Sequence, residues 1–375
     1  MQKKPVVHFR PASQNKTMFQ FTCGNNNLNV ADRYTYLGLV FTEHLDYQIM
    51  ANTVANSASR ALGLIIAKFK NAGGMPFSVY TKLYDTLVMS VINYGSMIWG
   101  VREYSCINSI HNRACRFFLG VGRYTPNAAI QGDMGWKMMY HRIWINTIRH
   151  WCKMCNLDNR RISKKVFLWS YEAGSNKKNW SNFVMKMFQE IGLTDIGNVE
   201  LKHIGVVLTE ADSALNSYFV QKWSSAINRE YAIRGEGRNK LRTYRMFKQT
   251  FNTEDYVKCV MPRNHRSALA KFRCGVAPLR IETGRYERNR PSVNEITCPL
   301  CNNGVEDECH VIMKCPAYSD LRNELFDNAI ISDHNFNTQT DENKFIYLLS
   351  QPNMTRQIAR ILFAILQRRQ LSISI

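Results

Sequence analysis

The stretch Tyr47-Gln-Ile-Met-Ala-Asn-Thr-Val-Ala-Asn-Ser-Ala-Ser-Arg-Ala-Leu-Gly-Leu-Ile-Ile-Ala-Lys-Phe69 sets the fold class. Ile49, Val54, Ala58, Ala61, Leu62, Ile65 and Phe69 recur mostly at steps of three and four, which winds them onto one face of an α-helix. Gly73-Gly74-Met75-Pro76 ends the pattern, because glycine and proline do not continue a helical hydrogen-bond ladder. Phe77 opens a second helix through Tyr80, Leu83, Tyr84, Leu87 and Val91. A third begins near Tyr104, with Ile107, Ile110, Ala114 and Phe117 inward and His111, Arg113 and Arg116 outward. Arg123 to Pro126 reads as a turn, and more helix runs from about Lys137 to Asn156.

Ahead of these helices the period is two. Val6, Val7 and Phe9 form an apolar run, and Phe19, Phe21 and Cys23 alternate with polar residues. Gly24 to Asn27 is a turn, and Leu28 to Phe41 returns as a strand in which Gly38 permits close backbone approach. The expected fold is mainly α with a small N-terminal antiparallel β-sheet. Its segments are the sheet (1–46), a helical domain (47–156), a polar, basic linker (157–210), a basic helical region (211–290), a metal knuckle (291–330) and C-terminal helices (331–375). Arg160-Arg161 and Lys164-Lys165 mark the linker, and Arg234-Gly-Glu-Gly-Arg238 reads as a flexible joint.

With 375 residues, 45% of them hydrophobic, the chain can bury one large core or two modest ones. A net charge of +20 and a pI of 9.6 point to a polyanionic partner. No apolar stretch approaches the ~18 residues that span a bilayer, and no secretory signal precedes the odd set of 11 cysteines. An N-terminus without an acidic residue before Asp32 weakly resembles a transit peptide, although the alternation at Phe19, Phe21 and Cys23 favours a strand. The expected setting is a reducing, intracellular compartment, nucleus or cytoplasm or both.

Near the C-terminus, Cys298-Pro-Leu-Cys301, His310 and Cys315 follow the pattern C-x2-C-x8-H-x4-C. A C-x2-C turn holds one face of a tetrahedral zinc site, and a following histidine and cysteine close the other. One structural zinc is expected. Cys309, beside His310, is an alternative ligand, and Glu306-Asp307-Glu308 is either an orienting partner for the imidazole or a solvated turn. Cys152 and Cys155 repeat the C-x2-C spacing without a second pair, and read as core thiols of a helix.

Arg238, Lys240, Arg242, Arg245 and Lys248 cluster around Tyr244 and Phe247. Arg263, His265, Arg266, Lys271, Arg273, Arg280, Arg285, Arg288 and Arg290 follow with few acids between them. Such a tract neutralises phosphates while aromatics stack on bases, unless it is simply a solvated helix face. Of these, Arg238, Lys240, Arg242, Arg245, Lys248, Arg266, Lys271, Arg273 and Arg285, with Arg113 and Arg116 upstream, are the expected nucleic-acid contacts. No catalytic set emerges. Asp32, Asp46, Asp85 and Asp133 are scattered and read as caps and surface charges, whereas two-metal chemistry needs grouped carboxylates.

Several segments in order resemble the C-terminal part of a reverse transcriptase of a non-LTR (LINE-type) retrotransposon. They are Tyr34-Thr-Tyr-Leu-Gly-Leu-Val40, Ser57-Ala-Ser-Arg-Ala-Leu-Gly63, Leu83-Tyr-Asp-Thr-Leu-Val88, Tyr94-Gly-Ser-Met-Ile-Trp-Gly100, Arg113-Ala-Cys-Arg-Phe-Phe-Leu-Gly120 and Thr125-Pro-Asn-Ala-Ala129. Further on come Lys271-Phe-Arg-Cys-Gly275, Ile281-Glu-Thr-Gly-Arg285, Val305-Glu-Asp-Glu-Cys-His310 and Cys315-Pro-Ala-Tyr318. The resemblance implies a palm edge whose primer-grip-like residues are Tyr36, Leu37 and Gly38. A thumb-like helical bundle follows, in which Tyr84, Tyr94 and Trp99 either stack on sugar or base or, the favoured reading, pack the core. The zinc-knuckle ligands are Cys298, Cys301, His310 and Cys315, with Lys314 and Arg322 as local nucleic-acid contacts. It also implies binding to RNA, single-stranded DNA or an RNA–DNA hybrid during target-primed synthesis, with no membrane and no small-molecule substrate. Met1 would fall just after the polymerase's metal-binding motifs, so this chain alone is expected to bind and not to polymerise. Two other readings stand beside it: a repurposed zinc-stabilised scaffold that uses the Ile361, Leu362, Ile365 and Leu366 stripe for a protein partner, and a decayed copy without function.

Overall fold

The computed structural model describes residues 5–173, 179–197, 203–229, 240–288 and 291–373; the joint expected at 234–238 lies outside them. The chain is mainly helical with a small antiparallel β region at its N-terminal end, as the periodicity requires. Two short hairpins pair β1 (Thr22–Cys23) with β2 (Asn26–Asn27) and β3 (Arg33–Tyr36) with β4 (Leu39–Thr42). The single strand expected over 28–41 is therefore broken. Leu37 and Gly38 take φ of 47° and 79°, the two left-handed residues that a tight hairpin turn needs.

The helices follow in order: α1 (Tyr47–Asn71), then α2 (Phe77–Leu83), which runs through a π turn (Tyr84–Met89) into α3 (Ser90–Asn93). Next are α4 (Ser96–Trp99), α5 (Ser105–Leu119), α6 (Asn127–Met134), α7 (Met139–Cys155), α8 (Ile162–Glu172), α9 (Trp180–Glu190) and α10 (Ile204–Asn228). The remainder are α11 (Tyr244–Phe247), α12 (Asp255–Lys258), α13 (Arg263–Arg273), α14 (Arg280–Thr283), α15 (Ser319–Ser332), α16 (Asp341–Ser350) and α17 (Thr355–Ile373). Among the described residues, no helix is long and apolar enough to cross a membrane.

These elements form two compact units, each drawn from three stretches of chain. One comprises Met1–Leu64, Leu83–His111 and Met138–Tyr218. Its core is aromatic: Trp99, Trp144 and Trp151 are buried, and Trp151 meets Phe167 and Phe188 edge-on at 4.9 and 5.6 Å. Gly100 lets α4 approach α7, since a Cβ there would lie 2.2 Å from Ile143 Cγ2. His111, expected outside, is buried against Tyr84, with Oη and Nδ1 3.0 Å apart. The stretch expected as a linker carries α8 and α9, because Phe167, Val184, Met187 and Phe188 supply buried helical positions within its polar composition. Even its basic doublet is used: Lys164 is buried and donates to the Cys155 carbonyl at 2.7 Å. Cys152 and Cys155 are buried in α7, consistent with core thiols.

The other unit comprises Ile65–Lys82, Asn112–Lys137 and Phe219–Ile375. Tyr80 stacks on Trp136 at 6.0 Å and packs on Phe118 at 4.9 Å, its hydroxyl donating to the Ala114 carbonyl at 2.9 Å. Helix α17 runs against α13, α15 and α16. Its Ile361, Leu362 and Ile365, three of the four residues read as a surface for a protein partner, are buried within its own unit, and the fourth, Leu366, is half-buried.

Asp133 also departs from expectation. It is fully buried, accepting from Tyr256 Oη at 2.6 Å, Tyr244 Oη at 3.1 Å and two guanidinium nitrogens of Arg273. The other three aspartates do behave as local charges. Asp46 accepts from the Gln48 amide at the start of α1, Asp85 pairs with Arg142 at 2.5 Å, and Asp32 pairs with Lys16.

Candidate metal centre

The C-x2-C turn is built by a small backbone clasp. Thr297 and Val305 form an antiparallel bridge, the Cys298 amide donates to the Gly304 carbonyl at 2.9 Å, and the Asn302 amide donates to the Cys298 carbonyl at 2.8 Å. Asn302 and Gly304 take φ of 49° and 77°, which reverses the chain between them. The other two donors come from the turn His310–Lys314, closed by the Cys315 amide donating to the His310 carbonyl at 2.8 Å.

Four donor atoms converge: the sulfurs of Cys298, Cys301 and Cys315 and a ring nitrogen of His310 all lie within 4.8 Å of one another. Cys298 and Cys315 Sγ are 3.8 Å apart, and Cys301 Sγ is 3.4 Å from His310 Nε2. Bonded disulfide sulfurs sit at ~2.05 Å, so these are separate thiols. A tetrahedral ion with bonds of ~2.3 Å to sulfur and ~2.0 Å to nitrogen needs roughly 3.5–3.8 Å between donors. The cluster can thus hold one metal ion.

Burial raises the Cys298 thiol and pushes Cys315 up to about 12, while backbone amides at Leu300, Cys301 and Ala317 offset part of that. Burial also holds His310 below its ordinary value, keeping the imidazole neutral and able to bind a metal. Cys309, the alternative ligand, stands outside the cluster, and burial pushes its thiol up to about 11.

The acidic trio before His310 is neither a solvated turn nor an imidazole partner. Asp307 Oδ1 accepts from the His310 backbone amide at 2.7 Å, whereas His310 Nδ1 lies beside Gly304. Glu306 is fully buried and paired with Arg369 at 2.6 and 2.7 Å, and also accepts from the Arg280 amide at 2.6 Å. Glu308, also fully buried, is held by Arg242 at 2.6 and 2.8 Å, and burial still raises its carboxyl despite that partner. These anchors were missed because buried carboxylates need cations from distant elements, which spacing along the chain does not reveal.

The expected nucleic-acid contacts separate into two groups. Arg273, Arg266 and Lys248 are buried, and two of them are committed to internal carboxylates. Arg273 pairs with Asp133 and, at 2.7 Å, with Glu254; Lys248 pairs with Glu254 and donates to Asn252. Burial opposes the Arg273 charge, but the two carboxylates outweigh it and hold the guanidinium above its ordinary value. Arg242 serves Glu308, and Lys240 and Arg285 contact Glu282 at 2.6 and 2.7 Å. Arg116 donates to the Thr125 carbonyl at 2.9 Å, fixing the turn before α6. Arg322 is buried and donates to the Cys315 carbonyl at 2.7 Å, while Lys314 stays exposed near Asp341 at 3.6 Å. Arg113 is exposed, and Arg245 and Lys271 are half-buried. Arg238 lies outside the described residues.

Tyr36, Leu37 and Gly38 form the tip of the β3–β4 hairpin, with Tyr36 and Leu37 largely exposed. Tyr84 and Trp99 are core residues, but Tyr94 is exposed and donates to the Leu37 carbonyl at 2.6 Å, bracing the tip. No family model, curated protein or solved structure matches the chain.

Proposed function

We propose that this chain is the nucleic-acid-binding C-terminal part of a non-LTR retrotransposon RNA-directed DNA polymerase, in which a zinc ion stabilises the fold and catalysis is not a property of these residues alone. The observation that carries the reading is the Cys3His set, whose donor atoms lie within 4.8 Å on a chain of net charge +20. Zinc suits it because mixed thiolate and imidazole donors at tetrahedral spacing favour that ion over magnesium or calcium, which prefer oxygen.

The partner is RNA, single-stranded DNA or their hybrid, held mainly through phosphates and hence with weak sequence preference. An exposed hairpin tip carrying Tyr36 and Leu37 offers an aromatic and an apolar side chain for an unstacked base or a primer end. Cations left at the surface, Arg113 above all, supply phosphate contacts in this reading.

The test is fluorescence anisotropy with a labelled RNA, a single-stranded DNA and a hybrid of equal length, over a series of salt concentrations. Steeply salt-dependent binding to at least one supports the reading. Absence of binding to all three at low salt rejects it.

A further inference from the structure

A cavity of about 220 Å³ opens between the Gly73–Pro76 turn and the segment from Val260 to Arg266, at the N-terminus of α13. Two guanidinium groups line it. Arg263 is exposed, and its Nη2 donates to the Phe117 carbonyl at 3.2 Å. Arg266 is only 3% exposed.

The partners of the buried cations single out Arg266. Among the described residues, six lysines and arginines are buried: Lys164, Lys248, Arg266, Arg273, Arg322 and Arg369. Five of them reach an oxygen, whether the Cys155 or Cys315 carbonyl or the carboxylates of Asp133, Glu254 and Glu306. Arg266 does not: its Nε is buried without a hydrogen-bond partner, and no carboxylate pairs with it among the described residues. Its support is the Phe118 ring, 4.3 Å from Cζ. Cation–π attraction offsets part of the desolvation of a guanidinium, but leaves its planar N–H donors unused. The ionisable groups near enough to act on it are the Tyr256 phenol, the Cys259 thiol and Arg263, and burial pulls its affinity for the proton below the ordinary value. A buried charge with no counter-charge is costly, and this one faces a cavity.

We infer that this cavity is an oxyanion site that takes a single phosphate group, held by Arg266 and Arg263 at the positive end of α13. The dipole of the 11-residue α13 adds to the two guanidiniums, since Arg263 and Arg266 lie in its first turn. Arginine's fork matches the oxygens of a phosphate. The negative end of α1, which also borders the cavity, is capped by the amides of Ala72, Gly73 and Gly74 on the carbonyls of Lys68, Lys70 and Phe69. Small-molecule pockets span ~300–1,000 Å³, so this smaller space suits one phosphate and not a whole nucleotide. The site is built from different residues than the Cys3His cluster and stands whether or not the chain binds nucleic acid. Its phosphate comes either free in solution or from a polynucleotide backbone.

The experiment is calorimetric titration of the full chain with inorganic phosphate, at constant ionic strength, for wild type, Arg266→Met, Arg263→Gln and the control Arg360→Gln. Wild type and Arg360→Gln are expected to bind one phosphate saturably, with affinity at least tenfold weaker in Arg266→Met and several-fold weaker in Arg263→Gln. Circular dichroism checks that Arg266→Met folds; if it does not, the exposed Arg263→Gln carries the comparison. Absence of saturable phosphate binding by wild type, or an Arg263→Gln affinity equal to wild type, overturns the site. A short oligonucleotide that displaces the phosphate assigns the site to a polymer backbone, and simultaneous binding assigns it to free phosphate.

Discussion

Asp133 and Arg273 are 140 positions apart in sequence and meet in the buried interior, the carboxylate accepting from Nε and Nη2 at 3.2 Å each. Tyr244 and Tyr256 complete the coordination of Asp133, and Glu254 and the Leu349 carbonyl that of Arg273. Removing one partner leaves a buried charge. Arg273→Met is expected to lower unfolding free energy by about 3–5 kcal/mol. The double variant Asp133→Leu, Arg273→Met should cost less than the sum of its single variants. Urea denaturation measures both.

Removal of the metal should loosen the 296–315 clasp. Cys298→Ser and His310→Ala are each expected to lower zinc content from one per chain to well below one, read by atomic absorption. Chelator treatment of wild type should depress the melting temperature towards that of the variants. Because protons compete with metal for the thiolates, zinc affinity should rise with pH. Zinc content unchanged in both variants would remove the centre.

Gly38 and Tyr94 both shape the hairpin tip. A side chain at φ +79° is strained, so Gly38→Ala should cost about 1–2 kcal/mol. Tyr94→Phe removes a 2.6 Å hydrogen bond to the Leu37 carbonyl, worth about 0.5–1.5 kcal/mol. Hydrogen exchange at the tip amides should quicken in both. If the tip contacts a nucleic acid, Leu37→Ala weakens binding without altering stability.

Binding to a polyanion should distinguish surface from interior cations. Arg113→Gln should reduce the slope of log affinity against log salt by about one if that side chain meets a phosphate. Lys271→Gln provides a second, half-buried case. Anisotropy over a salt series reads both, and slopes equal to wild type would place the contacts elsewhere.

His150 gives an acid limit to its unit. Burial, and then Lys153, hold it below the ordinary histidine value, and its ring meets Trp180 edge-on at 5.5 Å. The unfolded chain therefore binds this proton more readily than the folded one. Stability is full above the unfolded value of ~6.5 and falls as pH drops towards the folded value. The urea midpoint should decline below that pH in wild type and less steeply in His150→Gln.

The helices were legible because their buried positions recur locally: Val54, Ala58, Leu62, Ile65 and Phe69 lie on one face whatever they pack against. The four donors of the candidate metal centre were legible for a similar reason, since C-x2-C fixes two of them within one turn. Long-range pairing was not. Asp133 reads as a surface aspartate until Arg273 is brought to it, and Glu306 as a solvated acid until Arg369 is. Arg273 shows the reverse error, a cation in a basic tract whose partners are internal. Gly275, two positions on, is constrained by a contact that spacing along the chain does not reveal. It takes φ +64°, and a Cβ there would lie 1.8 Å from the Lys240 carbonyl oxygen, so Gly275→Ala should cost several kcal/mol, on the order of the largest single-substitution effects.

The pairing of Glu306 with Arg369 bears on how the molecule is made. The two are separated by 63 positions, and Arg369 lies in the last turns of α17. During synthesis the carboxylate emerges from the ribosome well before its counter-ion, and must remain solvated until translation of α17 is nearly finished. The clasp around Cys298 can form early, but the burial of Glu306 beside it waits until α17 has been made. A ribosome that stops before residue 369 releases a chain whose metal-binding loop holds an unmatched interior charge, and such products should be the ones cleared by proteolysis.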